Sequence, residues 1–423
     1  MGRISRLKHP SAILALLTGL NLLNYIDRYI LAAVLPLLQD DLRLSNTAAG
    51  ALGTIFLVGY FTTSPLFGRL ADRTDLRGGR RGLMALGVAV WSVATFASGL
   101  ARGAWSLGAA RAVVGVGEAS YATVAPTLID DMAAPDKKGR WLSIFYVAIP
   151  IGSALGYVIG GLLGKLGWRE AFWVVGGPGV LAALACLLIV EPARGGRKDL
   201  APSRVWDSIA TLTAVPLFRR GVLGYAAQTF ALGGFAFWAP KFLVEAYELP
   251  VSKGSTTFGA ILVVAGGLGT WLGGFWSDRW AARAGGVGGV SADPAEAAKI
   301  DLKVCAITGA VAAPLAAAAF LAPSAKMFFI LAFVCEVAAF ASTAPVNAAL
   351  LRAVPTELRA SAMALSIFAI HFFGDLWSPL VLGALRDVLP VGVAMMAVPL
   401  ALAVSAGLWV PPAREARAAI KLG

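Results

Sequence analysis

The sequence predicts an all-α membrane protein of twelve transmembrane helices, arranged as two pseudo-symmetric six-helix bundles. Three observations carry that expectation. Hydrophobic residues make up 58% of the 423 and charged residues only 14%, against about 25% charged in soluble domains; the mean hydropathy is +0.74. Twelve apolar stretches each approach the ~20 residues that a helix needs to cross a bilayer. Finally, the basic residues alternate. Of 36 Lys and Arg, 26 fall in the N-terminal tail, alternate loops and the C-terminal tail, eight fall at the other side, and Arg28 and Arg111 lie within spans. The positive-inside rule then makes both termini cytoplasmic.

In order, the spans read Ala12–Leu35, Ala49–Leu70, Leu83–Ala101, Leu107–Ile129, Trp141–Leu163 and Ala171–Val190, then Gly221–Leu243, Thr257–Trp276, Val304–Leu321, Met327–Leu351, Ala362–Leu385 and Val391–Val410. The first follows Arg3, Arg6 and Lys8, as a signal peptide would. It runs on past Asn24, Asp27 and Arg28, too long and too polar for a cleaved segment. Residues 1–190 therefore form one bundle and 219–423 the other. Between them 191–218 is a charged cytoplasmic linker, in which Val205, Trp206, Ile209 and Leu212 have the spacing of an amphipathic interfacial helix. Cys186, Cys305 and Cys335 sit within or at the edge of spans without metal spacing or evident pairing, and read as small core residues.

The chain is organised around RAVVGVGEASYATVAPT, residues 111–127. Arg111 and Glu118 are seven residues apart, so they share one helix face about 10 Å apart along the axis. Each charge costs about 2.5–3.5 kcal/mol in hydrocarbon on insertion scales, so both must face protein or water. In the first span Asp27 and Arg28 point about 100° apart. Asp27 is a candidate proton site or partner for Arg111; Arg28 can reach a substrate anion or Glu118. In the second half Glu336 lies in the tenth span. His371 and Asp375 are i and i+4 in the eleventh, able to interact directly and to sense protons. Gly152, Gly156 and Gly160 give the fifth span a small-residue packing face, and Pro150 predicts a kink there. Tyr121, Tyr146 and Trp238, with Phe235 and Phe237, are candidate substrate contacts. Lys241 and Glu245 read as a rim pair.

Internal echoes support two related halves. GRLADRTDLRGGRR, from Gly68, is answered by GGFWSDRW, where Gly274, Asp278 and Arg279 repeat Gly68, Asp72 and Arg73 after 206 residues. Pro126 and Arg140 find Pro345 and Arg359 at 219, and Glu118 finds Glu336 at 218. In the first of these loops Gly68 permits close helix approach, and Asp72 can accept hydrogen bonds from a neighbouring helix N-terminus. Gly68, Asp72, Arg73, Arg140, Asp278 and Arg279 are the candidate gate.

The loop GRLADRTDLRGGRR resembles the loop 2–3 motif of the major facilitator superfamily, and Arg111, Gly115, Gly117 and Ala119 resemble its helix-4 motif. More narrowly, NYIDRYILAAVLP, GVGEASYATVAPTLI, LSIFYVAIPIGSALGY and HFFGDLWSP resemble the Spinster family of lipid transporters. The resemblance covers most of residues 24–192 and, later, the eleventh span. It implies a rocker-switch fold with a central cavity, lysophospholipid or sphingoid phosphate substrates, and proton coupling. It also implies that Asp27, Arg28, Arg111 and Glu118 serve protonation and headgroup contact, and that Asp72 and Arg73 lie in the gating loop. One departure is in the fifth span, where Tyr157 follows Gly156 in place of the proline of the superfamily's antiporter motif.

Enzyme chemistry has no foothold. There is no GxSxG, GxxxxGK[ST] or HExxH, and two histidines, one in the N-terminal tail, exclude a His-rich metal site. The expectation is a monomeric bacterial inner-membrane transporter without cofactor or nucleic-acid partner, surrounded by membrane lipid. Its substrate would be an amphipathic lipid exchanged by alternating access with protons at Asp27 or Glu118. A small organic anion or amphipathic drug is the alternative cargo, and a receptor or lipid-modifying protein the alternative class.

Overall fold

The computed structural model describes residues 7–72, 78–134, 137–191, 205–284 and 294–411. Twelve long helices dominate: α1 (Pro10–Leu42), α2 (Asn46–Asp72), α3 (Gly79–Ser98), α4 (Ala104–Met132), α5 (Lys138–Leu163), α6 (Trp168–Leu187), α7 (Pro216–Tyr247), α8 (Val251–Ala284), α9 (Pro294–Phe320), α10 (Ala325–Arg352), α11 (Arg359–Ile370, continued by His371–Asp375 and Ser378–Val388) and α12 (Val391–Trp409). Eleven are long and apolar enough to span a bilayer by length and composition. The twelfth, α1, has 33 residues but carries Asn21, Asn24, Asp27 and Arg28 in mid-span.

Four helices are interrupted near the carbonyl that a proline faces, while Pro36, Pro65, Pro126, Pro178, Pro240 and Pro314 lie in helices that continue. A proline removes its own N–H and its ring collides with the carbonyl four residues earlier. Pro150 faces Tyr146, and α5 is interrupted at Val147. Pro345 faces Ala341, where α10 parts between Phe340 and Thr343. Pro379 faces Asp375, the last residue of a π-helical turn, His371–Asp375, in α11. Pro399 faces Met395, where α12 is interrupted.

Two compact units emerge. The first comprises Met1–Lys198 with Ala236–Val263 and Pro379–Leu389. Its helices approach through glycine: a Cβ on Gly115 would lie 2.1 Å from the Phe56 carbonyl oxygen of α2, and one on Gly117 2.6 Å from the Trp91 nitrogen of α3. The Gly152, Gly156 and Gly160 face presses on α1 at Leu22, Ile26 and Ala33. Around these contacts Trp91, Tyr121, Val124, Leu128 and Phe145 form a buried core. Leu7 pairs with Ile189 in an isolated bridge that ties the N-terminal segment to the end of α6.

The second unit comprises Asp199–Phe235, Val264–Ser378 and Pro390–Gly423. In it the linker forms a short helix, Val205–Ala214, whose Leu212 is buried with Phe218, Val222, Leu350 and Ala362. That side chain packs on protein. Residues 192–204 lie outside the described residues.

One ion pair occurs in both halves with its charges exchanged. Arg80 of α3 binds Asp131 of α4 at 2.6 Å, and Asp301 of α9 binds Arg352 of α10 at 2.6 Å. Both members are 221 positions apart between halves. The equivalent helix pair is thus clamped by opposite polarity. Removing Arg352 strands Asp301, which is fully buried and, among the described residues, otherwise accepts from the Ser277 hydroxyl alone. Arg352→Ala is expected to lower stability by about 2–3 kcal/mol, the low end for a broken buried pair because Arg352 is partly exposed. The exchange Asp301→Arg with Arg352→Asp should recover most of it in thermal unfolding. A double variant as unstable as the sum of its singles would show that the surroundings, not the pair, fix the polarity.

Candidate functional site

The four charged residues of α1 and α4 meet in the first unit as two crossed ion pairs. Arg28 Nε lies 2.6 Å from Glu118 Oε2, and Arg111 Nη1 lies 3.3 Å from Asp27 Oδ1. The crossing follows from reach. On α1 the two residues differ by one 1.5 Å step, whereas on α4 they are about 10 Å apart along the axis. Only the long arginine arms can span the difference, so each carboxylate takes the arginine of the other helix.

Burial separates the two pairs. Arg111, Asp27 and Glu118 are at most 2% exposed, but the Arg28 side chain is 19% exposed. Asp27 is fully engaged: Arg111 donates to Oδ1 and the Thr95 hydroxyl of α3 donates to Oδ2. Glu118 is not. Its Oε1 is buried without a hydrogen-bond partner, as are Arg111 Nε and Asn24 Nδ2. Buried polar groups are rarely left this way, so the site keeps one carboxylate oxygen available for a proton or a ligand.

Aromatic rings complete it. The Arg28 guanidinium lies 4.9 Å from the Tyr25 ring centroid, 5.1 Å from Phe56 and 4.9 Å from Tyr60; Arg111 lies 5.0 Å from Phe56. Each desolvated cation–π contact is worth about 1–2 kcal/mol, which helps hold Arg28 without a second carboxylate. Phe56 touches both arginines. The sequence reading omits Thr95, Tyr25, Phe56 and Tyr60. Available signals are the polar stripe Ser92, Thr95, Ser98 in α3 and the i,i+3 and i,i+4 spacings of Tyr25 with Arg28 and of Phe56 with Tyr60.

Other candidates are placed elsewhere. Tyr121 is buried in the core, its hydroxyl donating to the Leu17 carbonyl. Trp238 is buried too; its indole N–H donates to the Pro379 carbonyl and Arg386 lies over its ring at 4.4 Å. Tyr146 is 47% exposed beside Phe145. Gly68 is in ordinary contact with Thr123 of α4, Arg140 is exposed, and Asp278 and Arg279 are exposed with Arg279 near the Phe275 ring. Arg73 lies outside the described residues, as does the Asp72 side chain.

The second-half candidates belong to the second unit. His371 Nδ1 lies 2.9 Å from both Asp375 oxygens, on the half-exposed π turn. Glu336 is 1% exposed and its Oε2 has no hydrogen-bond partner. No cluster of His, Cys, Asp and Glu that suits a metal occurs among the described residues.

The family model described as Major Facilitator Superfamily matches residues 17–369. The human protein spinster homolog 1 is 35% identical over 400 residues, covering 89% of this chain and 72% of that protein. The chain belongs to the Spinster family. It is therefore a multi-pass integral membrane transporter of the major facilitator superfamily and not an enzyme. Among further Spinster relatives, the Drosophila melanogaster protein spinster is 34% identical over 87% of this chain and 60% of its own length. An Arabidopsis thaliana relative, described as a probable sphingolipid transporter, is 33% identical over 89% of this chain and 81% of its own length. A bacterial homologue of the human lysosomal transporter Spinster, crystallised inward-facing and unoccupied, shares the fold with a TM-score of 0.81, 23% identity and 95% and 96% coverage of the two chains.

Proposed function

We propose that this Spinster-family chain is a proton-coupled transporter of an amphipathic lipid with an anionic headgroup, a lysophospholipid or sphingoid phosphate, working by alternating access. The observation that carries this reading is the Arg28–Glu118 pair: a partly exposed arginine held by a buried carboxylate that still has one free oxygen. A proton added at Glu118 Oε1 neutralises the carboxylate and removes its claim on Arg28. The guanidinium is then free to take a phosphate in bidentate form. Substrate bound to Arg28 leaves Glu118 without its cation and so favours its protonated form. Proton and headgroup thus bias one another through a single contact. Arg111, buried and tied to Asp27, keeps the floor of the site neutral.

The name of the Arabidopsis thaliana relative supports a sphingoid class of cargo. His371 with Asp375 serves as a second proton-responsive pair, and Glu336 as a polar contact for the substrate. Gly68, Asp72, Arg73, Arg140, Asp278 and Arg279 form the gate. The two six-helix halves, 1–190 and 219–423, rock about the linker of 191–218. The protein works as a monomer in a bacterial inner membrane with both termini cytoplasmic, as its basic loops require.

Uptake of labelled lysophospholipid and sphingosine phosphate by sealed proteoliposomes tests the reading. Accumulation should follow an imposed pH gradient and lose that dependence in Glu118→Gln, which keeps shape but cannot change charge. Gradient-driven accumulation that persists in Glu118→Gln would refute the proton assignment. Failure of both lipids to move, with a tailless organic anion accumulating instead, would refute the lipid assignment.

A further inference from the structure

A polar ring far from the Arg28 site joins residues from opposite ends of the sequence within the first unit. α2 begins at Asn46, and the first N–H groups of a helix lack partners inside it. Ser45 Oγ accepts from the Ala48 N–H at 3.1 Å, as a local cap does. The preceding donors are satisfied from α11. Asp387 Oδ1 accepts from the Asn46 N–H at 2.9 Å, and Oδ2 accepts from the Thr47 N–H at 2.8 Å and the Thr47 hydroxyl at 2.6 Å. A carboxylate there also meets the positive end of the helix dipole.

The surroundings bring these backbones together. A Cβ on Gly383 would lie 2.3 Å from the Asn46 carbonyl oxygen, and one on Gly50 2.1 Å from that of Pro379. Lys241 of α7 donates to Gln39 Oε1 at 2.6 Å, Gln39 donates to Asn46 Oδ1 at 3.3 Å, and Glu245 binds both Lys241 and Arg386. Deeper along the same seam Ser255 of α8 donates to the Ala33 carbonyl of α1 at 3.0 Å. The ends of α7, α8 and α11 are thus fastened to α1 and α2 by hydrogen bonds and glycine contacts, beside the packing of Phe237 on the apolar cluster of α1 and α2.

We propose that Asp387 is a releasable cap for α2, a latch that fastens the ends of α7, α8 and α11 to the first half and must open once in each transport cycle. Its chemistry suits release. The Asp387 hydrogen bonds are exposed, so on parting, water takes the N–H groups of Asn46 and Thr47 and rehydrates the carboxylate. Ser45 continues to cap α2 locally, so the helix survives undocked. The proposal rests on the alternating-access reading.

A buried reporter tests it. Ser255→Cys, at the α8–α1 contact, is labelled by a membrane-impermeant maleimide in proteoliposomes, and labelling of the chain without the reporter is subtracted for the three native cysteines. Loss of a cap of ordinary strength shifts the docked population about five- to tenfold, so Asp387→Ala should raise the labelling rate by about that factor, and Asp387→Asn, which keeps one acceptor oxygen, and Thr47→Val by less. Unchanged labelling in both Asp387 variants, with normal thermal unfolding, would overturn the latch. The transport reading fails separately: it requires substrate to alter labelling of Ser255→Cys when Asp387 is intact. A substrate response together with inert Asp387 variants rejects the latch alone.

Discussion

Arg111→Ala is expected to cost more than any other single side-chain truncation at the site, about 3–5 kcal/mol of stability, with transport lost as well. The figure follows from what remains. Asp27 is 2% exposed and, among the described residues, would retain the Thr95 hydroxyl as its donor, a carboxylate in the middle of α1 with no cation hydrogen-bonded to it. Phe56 would lose one of its two guanidinium contacts. Because the penalty comes from the stranded charge, removing that charge should remove most of the penalty. Asp27→Asn with Arg111→Gln is expected to unfold within about 1–2 kcal/mol of the parent, since a neutral pair needs no counter-ion. Thermal unfolding in detergent of the parent, the two singles and the double gives the cycle. Additive losses would mean that the pair contributes nothing as a pair. Transport is expected to stay absent in the rescued double variant if Asp27 and Arg111 act in the cycle, and to return if they only fill the core.

Such a cycle was foreshadowed by the sequence, because ionisable residues in hydrocarbon are few and each must find a partner. Asp27, Arg28, Arg111 and Glu118 stand out against their apolar spans, and helical geometry alone allows both pairings that the structure makes. The twelve spans were legible for the same reason: a bilayer imposes length and apolarity on every helix. Thr95, Tyr25, Phe56 and Tyr60 were only half legible: helical spacing puts Thr95 on a polar stripe and Tyr25 on the face of Arg28, but does not say whether a face meets an arginine or lipid. Only the packing of α2 and α3 against α1 and α4 decides it. Glycine told more in the fifth span, where its period of four marked a packing face, than in α2, where Gly50, Gly53 and Gly59 meet three different helices, α11, α7 and α4. The Asp387 cap was illegible in principle. Its partners are 340 and 341 residues away, and an aspartate near a helix end reads as solvated surface. The exchanged ion pairs fell between. Arg80 lay inside a recognised loop, but Asp301 and Arg352 repeat its clamp with the charges reversed, and a search for identical residues in two halves passes over them.

Gly115→Val should remove the folded protein almost entirely. α2 and α4 cross so closely that even an alanine Cβ at Gly115 would lie 2.1 Å from the Phe56 carbonyl oxygen and 2.9 Å from the Tyr60 nitrogen, and one at Gly59 would lie 2.4 Å from the Ala112 carbonyl oxygen. The obstructing atoms are backbone inside helices, which cannot rotate aside as a side chain would. To admit a valine the helices must separate by more than an ångström along their contact. In a membrane that contact is held by close packing, with no hydrophobic drive to restore it. The same separation would carry Phe56 and Tyr60 away from Arg28 and so weaken the cage while leaving the Arg28–Glu118 pair intact. Gly115→Ala is therefore the informative variant: expected stability falls by about 2–3 kcal/mol, in the range of overpacked cores, and affinity for the transported substrate changes because Arg28 is held less firmly. Gly177→Ala is the control, since its Cβ would meet nothing within 4 Å. Equal yield and unfolding temperature for Gly115→Ala and Gly177→Ala would mean that α2 and α4 adjust freely, and that the aromatic cage is not set by their crossing.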